Sequence, residues 1–226
     1  MTTATYLKRR DELETYFDRT ASAAWEKLTS DAPVSGIRAT VRAGRDDMRA
    51  TLMSWLPEDM TGLRLLDAGC GAGQLSVEAA MRGADVVAID LSQTLVDLAA
   101  ERSETIDMPG SIEFMVGDMF LPDRGHFDHV VAMDSLIHYN TDDFIIGVER
   151  LAALAKTSVL FTFAPKTPAL SIMHAMGKLF PRSDRSPAIV PHSEAEIRNR
   201  LRQNSVRGSR RIKSGFYISH GMEMAV

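Results

Sequence analysis

The stretch 63–90, "LRLLDAGCGAGQLSVEAAMRGADVVAID", decides the architecture of the chain. An apolar run ends at Asp67, glycines follow at 69, 71 and 73, and a helical segment then stops at Gly83. Glycines in such a turn let the backbone curl tightly and approach a ligand that a Cβ would hold away. The first turn of the following helix has unpaired N–H groups, which favour a negative group. A second apolar run, "DVVAID", ends in Asp90, where a carboxylate can accept hydrogen bonds from both hydroxyls of a ribose. Strand, glycine turn, helix and strand in this order form one unit of a parallel sheet.

Outward from this stretch the same texture repeats. Apolar runs predict strands at 63–68, 85–90, 112–116, 128–133 and 158–164, with helices at 73–82, 93–102 and 142–155 between them. On the N-terminal side, Leu7, Leu13, Tyr16, Phe17, Ala24, Trp25 and Leu28 recur at helical steps, so 7–30 reads as a helix. "SDAPVSG" breaks the pattern, and a second amphipathic helix starts at Ile37. On the C-terminal side, residues 165–191 contain five prolines and read as a lid-like excursion. A helix near 192–203 and two β-like runs, 205–213 and 215–225, close the chain, the last two as an antiparallel pair at the sheet edge. The expected division is a helical arm over 1–60, a core over 61–164, the excursion, and a C-terminal segment over 192–226, all in one domain.

Composition narrows the setting. Hydrophobic residues make up 45% and charged residues 25%, which is ordinary for a globular chain. With one cysteine, Cys70, neither a disulfide within the chain nor a cysteine-based zinc site is available. The N-terminus lacks an apolar run suited to secretion, and no segment approaches the roughly 18 apolar residues of a membrane span. The expectation is a cytoplasmic protein without a resident metal. A net charge of −4 argues against nucleic acid as the main partner.

The glycine spacing separates two kinds of donor site. A dinucleotide loop of the form G-x-G-x-x-G would need glycine at position 74, where this chain has Gln74. The observed D-x-G-x-G-x-G resembles the S-adenosylmethionine (AdoMet) loop of class I methyltransferases. That resemblance implies a Rossmann-like α/β fold with a mostly parallel seven-stranded sheet, an antiparallel edge strand and helices on both faces. It also implies AdoMet as methyl donor. Asp67 is then expected near the AdoMet ammonium, directly or through water, and Asp90 on the ribose. Asp118, ending "FMVGDMF", is expected on the adenine amino group. Gly69, Cys70, Gly71, Gly73, Leu91, Met119 and Met133 complete the expected donor-binding set.

The acceptor is read from other segments. After the fourth strand the chain has "AMDSLIHYNTDD", without the proline motif or nucleophilic cysteine usual in base methyltransferases. "YFDRTASAAWEKL", "DSLIHY", "LFTFAPKT", "KLFPRSDRSPAIVPHSEAEI" and "SGFYISHGMEMAV" are together similar to the magnesium-protoporphyrin IX O-methyltransferases of chlorophyll and bacteriochlorophyll biosynthesis. The resemblance implies methyl transfer to one propionate of magnesium protoporphyrin IX. A subunit of magnesium chelatase and a peripheral membrane contact are candidate partners.

His138 is the candidate catalytic residue, expected as a neutral N–H donor that orients the substrate carboxylate. Tyr139 reads as packing beside it. Tyr16 and Trp25 are candidate flat surfaces for a macrocycle, with helix packing the plainer reading. Thr29 stands where related chains can carry a tyrosine, so that tyrosine's role is not transferred. Arg38, Arg42 and Arg45 are candidates to pair with a propionate or the AdoMet carboxylate, a solvated helix face being the default. His174 is a weak candidate for the substrate's magnesium. Residues 198–213 carry seven Lys/Arg and no acid, which suits an anionic partner or simply a solvated face. Transfer to another small molecule, or an AdoMet-binding module contacting RNA, stays open at this level.

Overall fold

Continuous apolar runs suit strands buried on both faces, and helices rather than hairpins connect them. The computed structural model describes residues 3–18, 36–120, 124–166, 187–201 and 205–226. Two helices come first, α1 (Ala4–Tyr16) and α2 (Gly36–Ser54). The alternating core follows: β1 (Arg64–Ala68), α3 (Gln74–Met81), β2 (Asp85–Asp90), α4 (Gln93–Ser103), β3 (Ser111–Val116), β4 (Phe127–Ala132), α5 (Thr141–Leu154) and β5 (Ala155–Phe163). A short helix α6 (Glu194–Arg200) leads to β6 (Val206–Ser214) and β7 (Tyr217–Ala225).

The seven strands form one sheet in the order β3-β2-β1-β4-β5-β7-β6. Strands β1 to β5 pair in parallel, while β7 runs antiparallel to both β5 and β6. The antiparallel strand therefore lies one place in from the edge, and β6 forms the edge itself. Strand order reverses between β1 and β4, and crevices outside the carboxyl ends of strands at such a reversal are where α/β sheets bind ligands.

Local chemistry sets the element ends. Asn140 caps α5 by accepting from the Asp143 amide at 2.9 Å, and Asp142 and Asp143 in the first turn suit the positive end of the helix. Ser92 caps α4, and Gly83, at φ 93°, ends α3. Beneath α5, Phe144 meets Phe161 and Phe163 edge-on at 5.8 and 6.2 Å, which locks that helix to β5.

Most expected elements lie within a residue or two of their observed bounds. Strand β5 starts at Ala155, three residues earlier than expected, because Ala155 already pairs with Phe127. The helix expected over 7–30 is α1, from Ala4, as far as Tyr16; Ala24, Trp25, Leu28 and Thr29 lie outside the described residues. So do His174 and most of the proline-bounded excursion. Its described ends are fixed: Lys166 and His192 amides donate to His192 and Ala164 carbonyls, and the Val190 amide donates to Ile137, each at 2.8 Å.

Candidate active site

The carboxyl ends of β1, β2 and β4 open onto a cavity of about 310 Å³ with a largely apolar wall. The three loop glycines all have left-handed φ, at 90°, 53° and 75°, and their surroundings differ. A Cβ on Gly69 would lie 2.3 Å from the Ser135 Cβ, so this glycine lets the loop pass the β4 exit. A Cβ on Gly73 would press on Ala99, behind the loop. Gly71 has nothing within 4 Å of that position and faces the cavity.

Asp90 fastens the loop. Its Oδ2 accepts from the Gly71 amide at 2.9 Å and its Oδ1 from the Ser92 amide at 3.0 Å. Burial raises its pKa, and those two N–H groups oppose the shift. Gly69, Gly71, Asp90, Leu91, Met119 and Met133 all line the cavity, as does His138.

Four expected donor-site residues do not reach the cavity wall. Asp67 is 2% exposed beneath the loop and accepts from the Ser76 hydroxyl at 2.6 Å. Burial pushes its pKa up to about 7. Cys70 packs against the core, its thiol pushed up by burial and by Asp67 and Asp90, so it is poorly suited to act as a nucleophile. Gly73 has been placed above. Asp118 also ties α1 to the core: its Oδ1 accepts from the Tyr6 hydroxyl and the Phe120 amide, both at 3.0 Å, with Arg10 3.4 Å from Oδ2. Neighbouring Gly117 and Met119 line the cavity wall.

His138 follows β4 and is 8% exposed. Its Nδ1 lies 3.3 Å from the Ala188 carbonyl, which can only accept, so Nδ1 carries the proton. Burial lowers the pKa to about 4, with the Ala188 carbonyl opposing the shift. The ring is neutral at pH 7, and its second nitrogen, Nε2, is a lone-pair acceptor. The expected N–H donor to substrate is therefore committed to the backbone. Arg9 reinforces this arrangement, donating from Nε to the His138 carbonyl at 2.9 Å and from Nη2 to Ala188 at 3.4 Å. Tyr139 is buried and stacks on Tyr6 at 4.8 Å, a packing role as expected.

Several wall residues were missed or undervalued. Leu13, Tyr16 and Phe17 of the arm, Pro187 and Ile189, and Phe216 and Tyr217 of the β6–β7 turn all line the cavity. Tyr16, for which helix packing was the plainer reading, thus stands on the cavity wall. Arg45, for which a solvated position was the default, also lines the cavity and pairs with Asp134 at 2.9 Å. Asp134 has φ 56°, the one left-handed non-glycine among the described residues. Strain of that kind at a strand end is a local signature of sites, and no sequence periodicity encodes it.

Three of the seven basic residues in 198–213 pair with acids from outside the run. Arg198 and Arg211 pair with Glu194, and Arg200 pairs with Asp142. Among the described residues no helix is long and apolar enough to cross a membrane, and no cluster of three His, Cys, Asp or Glu could hold a metal ion.

Comparison with known proteins agrees with this geometry. Residues 65–158 match the family model described as "Methyltransferase domain", and 132–226 match "Magnesium-protoporphyrin IX methyltransferase C-terminus". The magnesium-protoporphyrin O-methyltransferase of Rhodobacter capsulatus is 47% identical over 219 residues, covering 96% of this chain and 97% of that one. The Arabidopsis thaliana chloroplast enzyme is 32% identical over 95% of this chain and 70% of its own. The crystal structure of magnesium protoporphyrin IX methyltransferase from Synechocystis with bound SAH superposes with a TM-score of 0.84 at 30% identity, covering 96% of this chain and 99% of that one. The glycine loop, the sheet order and the carboxyl-end cavity are thus those of a class I methyltransferase, and the chain belongs to the magnesium-protoporphyrin O-methyltransferase family.

Proposed function

We propose that this chain transfers a methyl group from AdoMet to one propionate of magnesium protoporphyrin IX, giving the monomethyl ester and S-adenosylhomocysteine. The observation that carries the reading is His138: an imidazole held by the Ala188 carbonyl shares one cavity with the glycine loop.

AdoMet supplies an electrophilic methyl on a sulfonium. Asp90 and the loop glycines would hold the nucleoside and methionine ends, with Leu91, Met119 and Met133 packing along it. The open Cβ position at Gly71 fits close approach of a ligand. Asp67 acts from beneath, setting the loop through Ser76.

In water a propionate is ionised at pH 7, like a side-chain carboxyl of pKa about 4. An apolar wall raises that value, so substrate entering the cavity tends to keep or regain a proton. We assign the His138 Nε2 lone pair as the acceptor of that proton. As the carboxyl oxygen bonds to the methyl carbon, the carbon–sulfur bond breaks and the proton moves to Nε2. Positive charge passes from sulfonium to imidazolium, so the cavity's net charge is unchanged. The Ala188 carbonyl, accepting from Nδ1, supports the imidazolium formed. His138 is thus a proton acceptor as well as an orienter, with Arg9 fixing its backbone and its Ala188 partner. Leu13, Tyr16, Phe17 and the 54%-exposed Phe216 supply apolar surface for a macrocycle.

Phe216 at the mouth also supports a peripheral contact with a membrane or with the protein that delivers the porphyrin, in a cytoplasmic setting. The test is incubation with isotopically labelled AdoMet and magnesium protoporphyrin IX. One labelled methyl per porphyrin, released by mild alkali as an ester, is expected. Label transferred only to a different acceptor would reject the proposal.

A further inference from the structure

The ion pair between Arg45 and Asp134 is not needed for the proton transfer, yet it occupies the acceptor side of the cavity. Arg45 projects from α2 with 20% of its side chain exposed, and its Nη1 lies 2.9 Å from the Asp134 Oδ2. Among the described residues lining the cavity, Arg45 is the one lysine or arginine. Asp134 is also served by neutral donors. The Tyr217 hydroxyl lies 3.1 and 3.2 Å from its two oxygens, Thr162 Oγ1 donates at 3.0 Å, and Ser219 Oγ at 3.4 Å. If the guanidinium turns away, the aspartate retains three hydrogen bonds. The ion pair is therefore not the carboxylate's sole support. A guanidinium has five N–H donors in a planar fork, enough to greet an incoming carboxylate while staying beside the first.

The proposed acceptor brings two carboxyl groups into this largely apolar cavity. One enters as the acid and is esterified beside His138. The other, ionised as a carboxylate, is costly to bury unless a cation meets it. Arg45 reaches the cavity from α2 beside β7, whereas His138 reaches it from the β4–α5 loop beneath α1, so the two groups hang on different elements.

We propose that Arg45 receives the second, non-reacting carboxylate of the acceptor, so that the enzyme recognises a diacid and esterifies one end of it. This rests on the proposed porphyrin acceptor and deepens it. After transfer the remaining carboxylate is the one held by Arg45. A product bound the other way round would set an ester against the guanidinium, which disfavours a second methylation.

The test compares magnesium protoporphyrin IX with the monoamide regioisomer that leaves the reacting propionate free. With the native enzyme the amide should lower kcat/KM on the order of 30-fold, through KM. With Arg45→Gln the two substrates should become nearly equal and dimethyl ester should appear, with the KM for AdoMet unchanged. An unchanged diacid-to-amide ratio in Arg45→Gln would overturn the proposal. So would a raised KM for AdoMet with that ratio intact, which would assign Arg45 to the donor's carboxylate. Arg45→Met removes the cation while keeping a long side chain and gives the same reading should the glutamine variant fail to fold: a ratio near one supports the proposal and an unchanged one overturns it. If the native enzyme methylates neither porphyrin, the acceptor assignment fails first and this proposal with it.

Discussion

The donor half and the acceptor half of the cavity are built by opposite means. The donor half comes mainly from one short stretch, residues 67–92, with Gly117, Met119 and Met133 beside it, and Asp90 staples its loop to the next strand through the Gly71 amide. The acceptor half is assembled from α1, α2, the β4–α5 loop, residues 187–189 and the β6–β7 turn. Their buried titratable groups also differ in sign. Beneath the donor loop lie carboxyls raised by burial, Asp67 to about 7. Around the acceptor half lie imidazoles lowered by burial, His138 and His192 both to about 4. A local site can be stapled by one or two hydrogen bonds, whereas a site drawn from five segments depends on the packing of the whole chain.

The largest effect should come from the point where the halves touch. Gly69→Val places a Cβ 2.3 Å from that of Ser135 at φ 90°. Left-handed strain and overpacking together should cost about 2–5 kcal/mol, read as a lower urea midpoint. A midpoint close to native would mean that the halves do not abut in solution. Next, Asp90→Ala should weaken S-adenosylhomocysteine binding by about 10- to 100-fold in calorimetry, while porphyrin binding changes little. Comparable losses for both ligands would break the separation.

The pH effects are smaller and opposite. Below about pH 6.5 the unfolded chain binds protons that the buried imidazoles refuse, so their contribution to stability falls as pH drops towards 4. Asp67 acts the other way: its folded form prefers the proton, so stability is lost as pH rises from about 4 through 7. Over about pH 4 to 6.5 His192→Gln should flatten the rise of urea stability with pH by up to about 1.4 kcal/mol per pH unit, and Asp67→Asn should steepen it by a similar amount. Slopes unchanged in both variants would contradict this division. The smallest effect should be Gly71→Ala, where nothing meets the new Cβ and only the left-handed conformation costs about 1–2 kcal/mol.

Legibility followed the same division. The sheet and the loop could be read from "LDAGCGAG" and "VVAID" because their chemistry is local, and glycine and a strand-end acid leave direct marks. The tie of Asp118 to α1 was not legible, because its partner, Tyr6, is 112 residues away and nothing in either segment announces the pair. His138 was found, but its tautomer was not, since that depends on the Ala188 carbonyl 50 residues on. Arg45 looked like one of several arginines on an amphipathic helix; only the fold brings it to Asp134.

The central claim is that His138 serves the acceptor and its proton, not the donor. His138→Ala should lower kcat by about 10²- to 10⁴-fold while S-adenosylhomocysteine binds with native affinity. In the native enzyme kcat/KM should hold as pH falls towards about 5, since the free imidazole stays neutral down to its pKa of about 4. A variant with near-native kcat, or one whose loss lies in S-adenosylhomocysteine affinity, would contradict it.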